Sequence, residues 1–148
     1  PNLKNASEMS IASNLAGKAI NISKTTAPHA ASYPFTSLFN ISHGHAVSLF
    51  FEKFLKYNYL NLDKSKTSFD LKKRFGLIFD IFNVKNIESL SKKISKIKKE
   101  DSLTDNLQSL KIDVKKNSKN IMSGINLLRL GNNPVQIDER EIYKIITN

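Results

Sequence analysis

The stretch SNLAGKAINISKTTAPHAASYPFTSLFNISHGHAVSLFFEKFLKYN, Ser13 to Asn58, decides the fold. Its second half is the plainest. After Ser42, a residue suited to capping a helix, Ala46, Val47, Phe50, Phe51, Phe54 and Leu55 recur at spacings of three and four. That period places them on one face of a helix. Before it, residues 26 to 39 read as a shorter helix, with Pro28 in the first turn and Thr26 as its cap. Upstream, residues 3 to 22 read as one helix. Its apolar or small positions are Met9, Ala12, Leu15, Ala16, Ala19 and Ile20, and Gly17 with the alanines lets another backbone come close.

Outward from this segment the pattern stays helical. A fourth helix is expected to start near Thr67, with Asp70 three residues on completing a capping pair. Phe75, Ile78, Phe79 and Phe82 form its apolar stripe. Residues 86 to 98 read as a basic amphipathic helix with Ile87, Leu90, Ile94 and Ile97 on one side. A helix over 113 to 130 is expected to bury Ile121, Ile125 and Leu128 and to stop at Gly131, ahead of Pro134. In the last helix Asp138 caps, Glu141 completes a capping box, and Ile137 staples onto Ile142. No run alternates as a strand does. The expected class is all-α, a bundle of about seven helices, with residues 1–148 as one domain around one core.

Composition narrows the function. Hydrophobic residues make up 40% of the chain, nine Phe among them, which is too apolar for a disordered chain. There is no cysteine, so any metal must be held by His, Asp or Glu. No apolar run is long enough to span a bilayer and no signal peptide is evident, so no membrane is expected and the cytoplasm is the default location. Pro1 in place of an initiator Met reads as the start of a fragment or of a processed chain. The net charge of +10 comes from 23 basic and 13 acidic residues, and it admits a nucleic-acid partner as readily as it fits solvated lysine-rich helix faces. The run from Lys92-Lys93 to Lys98-Lys99 has no interleaved aromatics and little arginine, so nucleic acid is not the expected partner.

All three histidines, His29, His43 and His45, fall within seventeen residues. His29 and His43 sit just inside predicted helix starts, where the helix dipole disfavours imidazolium and leaves the neutral form that binds metal. Each alone also reads as an ordinary hydrogen-bonded structural residue. His43 and His45 are two apart and point to nearly opposite sides of a helix, so one of them is a ligand candidate and the other is something else. Periodicity does not choose between them.

With these residues read, the segment resembles the iron-containing alcohol dehydrogenase family, of the dehydroquinate-synthase-like fold. The likeness rests on Leu15-Ala16-Gly17, on His29 followed fourteen residues later by His43-Gly44, and on the apolar helix ending in Tyr57-Asn58. It extends to Arg129-Leu130-Gly131-Asn132-Asn133-Pro134. Within the family, the wording from Lys24 to Val47 is most similar to phosphonoacetaldehyde reductases. The resemblance implies a helical C-terminal domain that holds a divalent metal, Fe²⁺ before Zn²⁺, with NAD(P)H bound by an N-terminal nucleotide-binding domain absent from these 148 residues. It implies His29 and His43 as metal ligands and His45 as a substrate-side residue. The family's earlier ligands lie upstream of the first helix, and Tyr33 stands where many members carry another His.

Lys18 and Lys24 are expected to hold a phosphonate as point charges, with Thr25 and Thr26 adding donors at a helix start. The expected substrate is a small aldehyde or alcohol, phosphonoacetaldehyde in the sharpest form. A dehydroquinate-synthase-like lyase is the alternative enzyme, and a basic helical nucleic-acid-binding module is the non-enzymatic one. A core built to abut another domain exposes apolar surface, so self-association, as a homodimer, is a further expectation.

Overall fold

A computed structural model describes residues 2–147, and among them every regular element is helical. There are eight α-helices: α1 (Leu3–Ser23), α2 (Ala27–Phe39), α3 (His43–Leu60), α4 (Leu71–Phe82), α5 (Ile87–Glu100), α6 (Ser118–Ser123), α7 (Leu127–Gly131) and α8 (Glu139–Thr147). One 3-10 turn, Leu62–Lys64, follows α3, and the sole extended pairing among the described residues is an isolated bridge between Ser65 and Val135. The all-α class holds.

The centre is the hairpin of α2 and α3. Asn40 turns the chain in the left-handed conformation, which asparagine tolerates, so α3 folds back along α2. Of the expected stripe of α3, Ala46, Phe50 and Phe54 are buried and Val47 and Leu55 half-buried, but Phe51 is exposed and Leu49 is buried instead; Phe35 of α2 packs its ring 4.7 Å from that of Phe50. Ile121, Ile125, Ile142 and Ile146 close the cluster from the C-terminal side. A second cluster joins Leu71 and Phe75 of α4 to Ile87, Leu90 and Ile94 of α5, with Tyr59 edge-on to Phe75 and Phe79. The core is therefore two clusters and not one.

Pro34 explains how the C-terminal segment docks. It lies inside α2 and offers no N–H, so the Ala30 carbonyl one turn earlier loses its helical partner. The Asn126 backbone N–H donates to that carbonyl at 3.3 Å. Gly124 sits so close to Pro34 that a Cβ there would come within 2.9 Å of the proline Cβ, so only glycine fits. This docking breaks the expected helix over 113 to 130. Residues 107–111 and 114–117 form turns, α6 ends at Ser123, and Asn126 caps the new helix α7 by accepting from Arg129 N–H. The break turns Leu128 outward, 86% exposed, where burial was expected.

Other starts and faces shift by less. Helix α4 begins at Leu71 and not near Thr67, because Asp70 is itself the cap, accepting from Lys73 N–H at 3.0 Å. Thr26 and Ser42 occupy cap positions without a side-chain cap bond. Asp138 caps α8, but Glu141 reaches Tyr57 and Lys64 instead of closing a capping box. In α5 Ile97 is exposed and Lys98 is buried. The Lys98 ammonium lies 2.7 Å from Asp105 and 3.8 Å from Glu52, and it donates to the Ser48 carbonyl, so a lysine of the basic run ties α5 to α3.

The Tyr57-Asn58 pair and the Asn132-Asn133-Pro134 segment meet. Asn58 and Asn133 exchange two amide hydrogen bonds in the interior, and Asn133 also donates to the Val135 carbonyl. Tyr57 donates to the Gln136 carbonyl and to Glu141. Burial and the bond to Glu141 hold the phenol pKa well above its ordinary range. These motif residues form a clasp between α3 and the closing segment.

Helix α1 differs from the rest. None of its residues is buried, and Leu3, Met9, Ile11, Leu15, Ile20 and Ile22 all face solvent. No helix among the described residues is long and apolar enough to cross a membrane.

Candidate functional site

The α2–α3 hairpin determines where the histidines fall. His29 is the third residue of α2 and His43 the first of α3, so the fold-back brings two helix starts separated by fourteen positions to one place. Their ring centres stand 5.5 Å apart, and the ring of Tyr33 lies 6.0 Å from that of His43. His45 is not part of this group; its Nε2 pairs with the Thr104 carbonyl at 2.8 Å. Two positions along a helix is roughly 200° of rotation, which accounts for the separation of His43 from His45.

The pair meets the spacing that one ion demands. A divalent transition metal sits about 2.1 Å from an imidazole nitrogen, hence roughly 3.2 Å from the ring centre, so two rings at a tetrahedral angle stand about 5.3 Å apart. The spacing of His29 and His43 fits that geometry. Burial lowers the pKa of His29, and the neighbouring His43 and Arg129 lower it further, which keeps the imidazole in its ligating neutral form. The set is incomplete within this chain. Among the described residues no three of His, Cys, Asp or Glu come together, whereas a catalytic metal usually takes about three protein ligands.

The candidate substrate residues divide. Lys24 follows α1 in a backbone conformation, φ 63° and ψ −177°, that is nearly confined to glycine and costs on the order of 1–3 kcal/mol for other residues. It lines an open cavity of about 630 Å³ together with Arg129, Asn21, Asn126 and Asn132. Thr25 abuts that wall: its carbonyl accepts from the Asn132 amide at 3.1 Å, and its buried Oγ1 has no hydrogen-bond partner among the described residues. Thr26 caps α2 by position, Lys18 is exposed on α1, and Tyr33 is at the surface beside His43.

Sequence reasoning missed Arg129 as a functional residue. The available signal was compositional: only three of the 23 basic residues are arginine, and this one is flanked by leucines. Its position beside His29 depends on the break at Asn126, which periodicity does not reveal.

An all-helical domain that presents two imidazoles at ligand spacing on one face defines the class. Comparison with protein-family models matches residues 1–148 to the Fe-containing alcohol dehydrogenase family, C-terminal, and the chain belongs to that family. The family's general activity is of the alcohol dehydrogenase type. No curated protein and no solved structure matches.

Proposed function

We propose that these residues form the C-terminal, metal-holding domain of an NAD(P)H-dependent aldehyde reductase whose nucleotide-binding domain precedes it in the polypeptide. The observation that carries the reading is the convergence of His29 and His43 at 5.5 Å in a chain of this family. When bound, Fe²⁺ or Zn²⁺ supplies Lewis acidity toward a carbonyl oxygen. His29 and His43 are two of its ligands, and the remaining donors come from outside these 148 residues. Burial holds the His29 pKa below its ordinary value, which favours the neutral, ligating ring. Tyr33 walls the His43 side and orients what approaches. His45, tied to Thr104, fixes the first turn of α3 and so the direction of His43.

The substrate in this reading is a small aldehyde carrying an anionic group. Phosphonoacetaldehyde, reduced to 2-hydroxyethylphosphonate, is the sharpest case, and it draws support from the positive charge around Lys24. In the polypeptide carrying both domains, aldehyde-dependent NAD(P)H consumption is expected, with His29→Ala and His43→Ala each losing bound metal. Full metal retention by both variants, measured by elemental analysis, would contradict the assignment. A lyase of the dehydroquinate-synthase type would leave NADH unconsumed.

A further inference from the structure

We propose that the cavity between the end of α1 and α7 is an oxyanion seat, with Arg129 as its principal binding residue and Lys24 as the second charge. The proposal rests on the functional reading above only for the identity of the molecule that carries the anion.

The lining is one-signed. Lys24 and Arg129 are its only ionisable members, and no carboxylate neutralises them. The Arg129 guanidinium is partly buried and has neither an ion pair nor a side-chain hydrogen bond among the described residues. A planar fork of donors held without an acceptor matches the geometry of a phosphate, phosphonate or carboxylate. Lys24 is fixed by its own backbone: its ammonium donates to the Asn21 carbonyl at 3.2 Å, which holds it over the cavity wall. Asn126 spends only its Oδ1 on capping α7, and Asn132 gives one amide hydrogen to the Thr25 carbonyl, so the Asn21 amide and the remaining amide hydrogens of Asn126 and Asn132 stand on the wall as neutral partners. Ile20 and Leu128 add apolar flanks. A seat of about 630 Å³ accepts a small molecule or the phosphate end of a larger one.

The seat adjoins the start of α2, where His29 lies: the Asn132 amide donates to the Thr25 carbonyl and the Asn126 N–H to the Ala30 carbonyl. An anion bound there would be the tail of a molecule whose other end reaches toward His29 and His43. That tail is either the charged group of a small aldehyde or the phosphate of the nicotinamide cofactor, and both present the same oxyanion chemistry.

Titration of the 148-residue chain with methylphosphonate at low ionic strength tests this, followed by the side-chain amide resonances of Asn21 and Asn132. Saturable shifts of both amides are expected. Arg129→Gln should weaken binding about tenfold or more, Lys24→Gln by less, and the double change Lys92→Gln/Lys93→Gln by under twofold. ADP-ribose in a parallel arm separates the sources: tighter binding than methylphosphonate assigns the seat to the cofactor, and weaker binding assigns it to the substrate. Unchanged affinity in Arg129→Gln overturns the proposal, as does equal loss in the Lys92/Lys93 control, which would mark the response as general to a +10 chain. The assay contains no metal. A chain that binds zinc at its histidines but not methylphosphonate would therefore fail this proposal alone, and the converse would fail the metal reading alone.

Discussion

Helices α1 and α3 are of similar length, and both are rich in apolar residues, yet one is wholly exposed and the other forms the centre of the core. The sequences explain the contrast. In α3 most of the large side chains find cover, chiefly from α2 and further from α5 and α8, while Phe51 and Leu60 stay exposed. In α1 apolar and small residues are spread around the whole circumference, from Leu3 through Ile11 and Ala16 to Ile22. Such a helix is written for burial on several sides at once. Apolar content therefore reports that a helix needs cover, and the breadth of its stripe reports how many neighbours must supply it.

The largest expected effect breaks the contrast directly. Phe50→Ala removes a fully buried ring from the α2–α3 contact and should cost about 3–5 kcal/mol in denaturant unfolding of the chain, whereas Leu15→Ala on α1 should stay within about 0.5 kcal/mol. Equal losses would mean that α1 is packed in solution. Next comes the clasp of α5 on α3. Lys98→Ala leaves Asp105 and Glu52 without their partner, and because both carboxylates keep some solvent the cost should be about 2–3 kcal/mol. The neighbouring Lys99→Ala, at an exposed position, serves as the control. The smallest is a cap: Asp70→Ala should cost about 1 kcal/mol, with Thr67→Ala close to silent, since Asp70 and not Thr67 opens α4.

These comparisons also mark what was legible. The period of α3, the stop at Gly131, the cap at Asp138 and the all-α class follow from spacing and end signals that act locally. The break at Gly124–Asn126 did not, because its cause is the unpaired carbonyl that Pro34 creates some ninety residues earlier in the chain. Lys98 looked like one more solvated lysine until the α3 backbone and Asp105 surrounded it. At the site, spacing left His43 and His45 open, the resemblance named His29 and His43, and the hairpin brings that pair together. Arg129 stayed hidden because its neighbourhood is made by tertiary docking alone.

The paired histidines can be examined in the chain as it stands. His29 is held below its ordinary pKa, so its folded form takes up protons less readily than the unfolded chain does. Its contribution to stability is therefore present above about pH 6.5 and falls as the pH drops below that value. Zinc binding that requires the neutral His29 ring should weaken as the pH falls. The most direct test is a zinc titration at neutral pH, followed by the ring resonances of all three histidines. His29 and His43 are expected to respond together, with one dissociation constant, while His45 stays bound to Thr104 and silent. Separate constants for His29 and His43, or a response led by His45, would contradict the shared site.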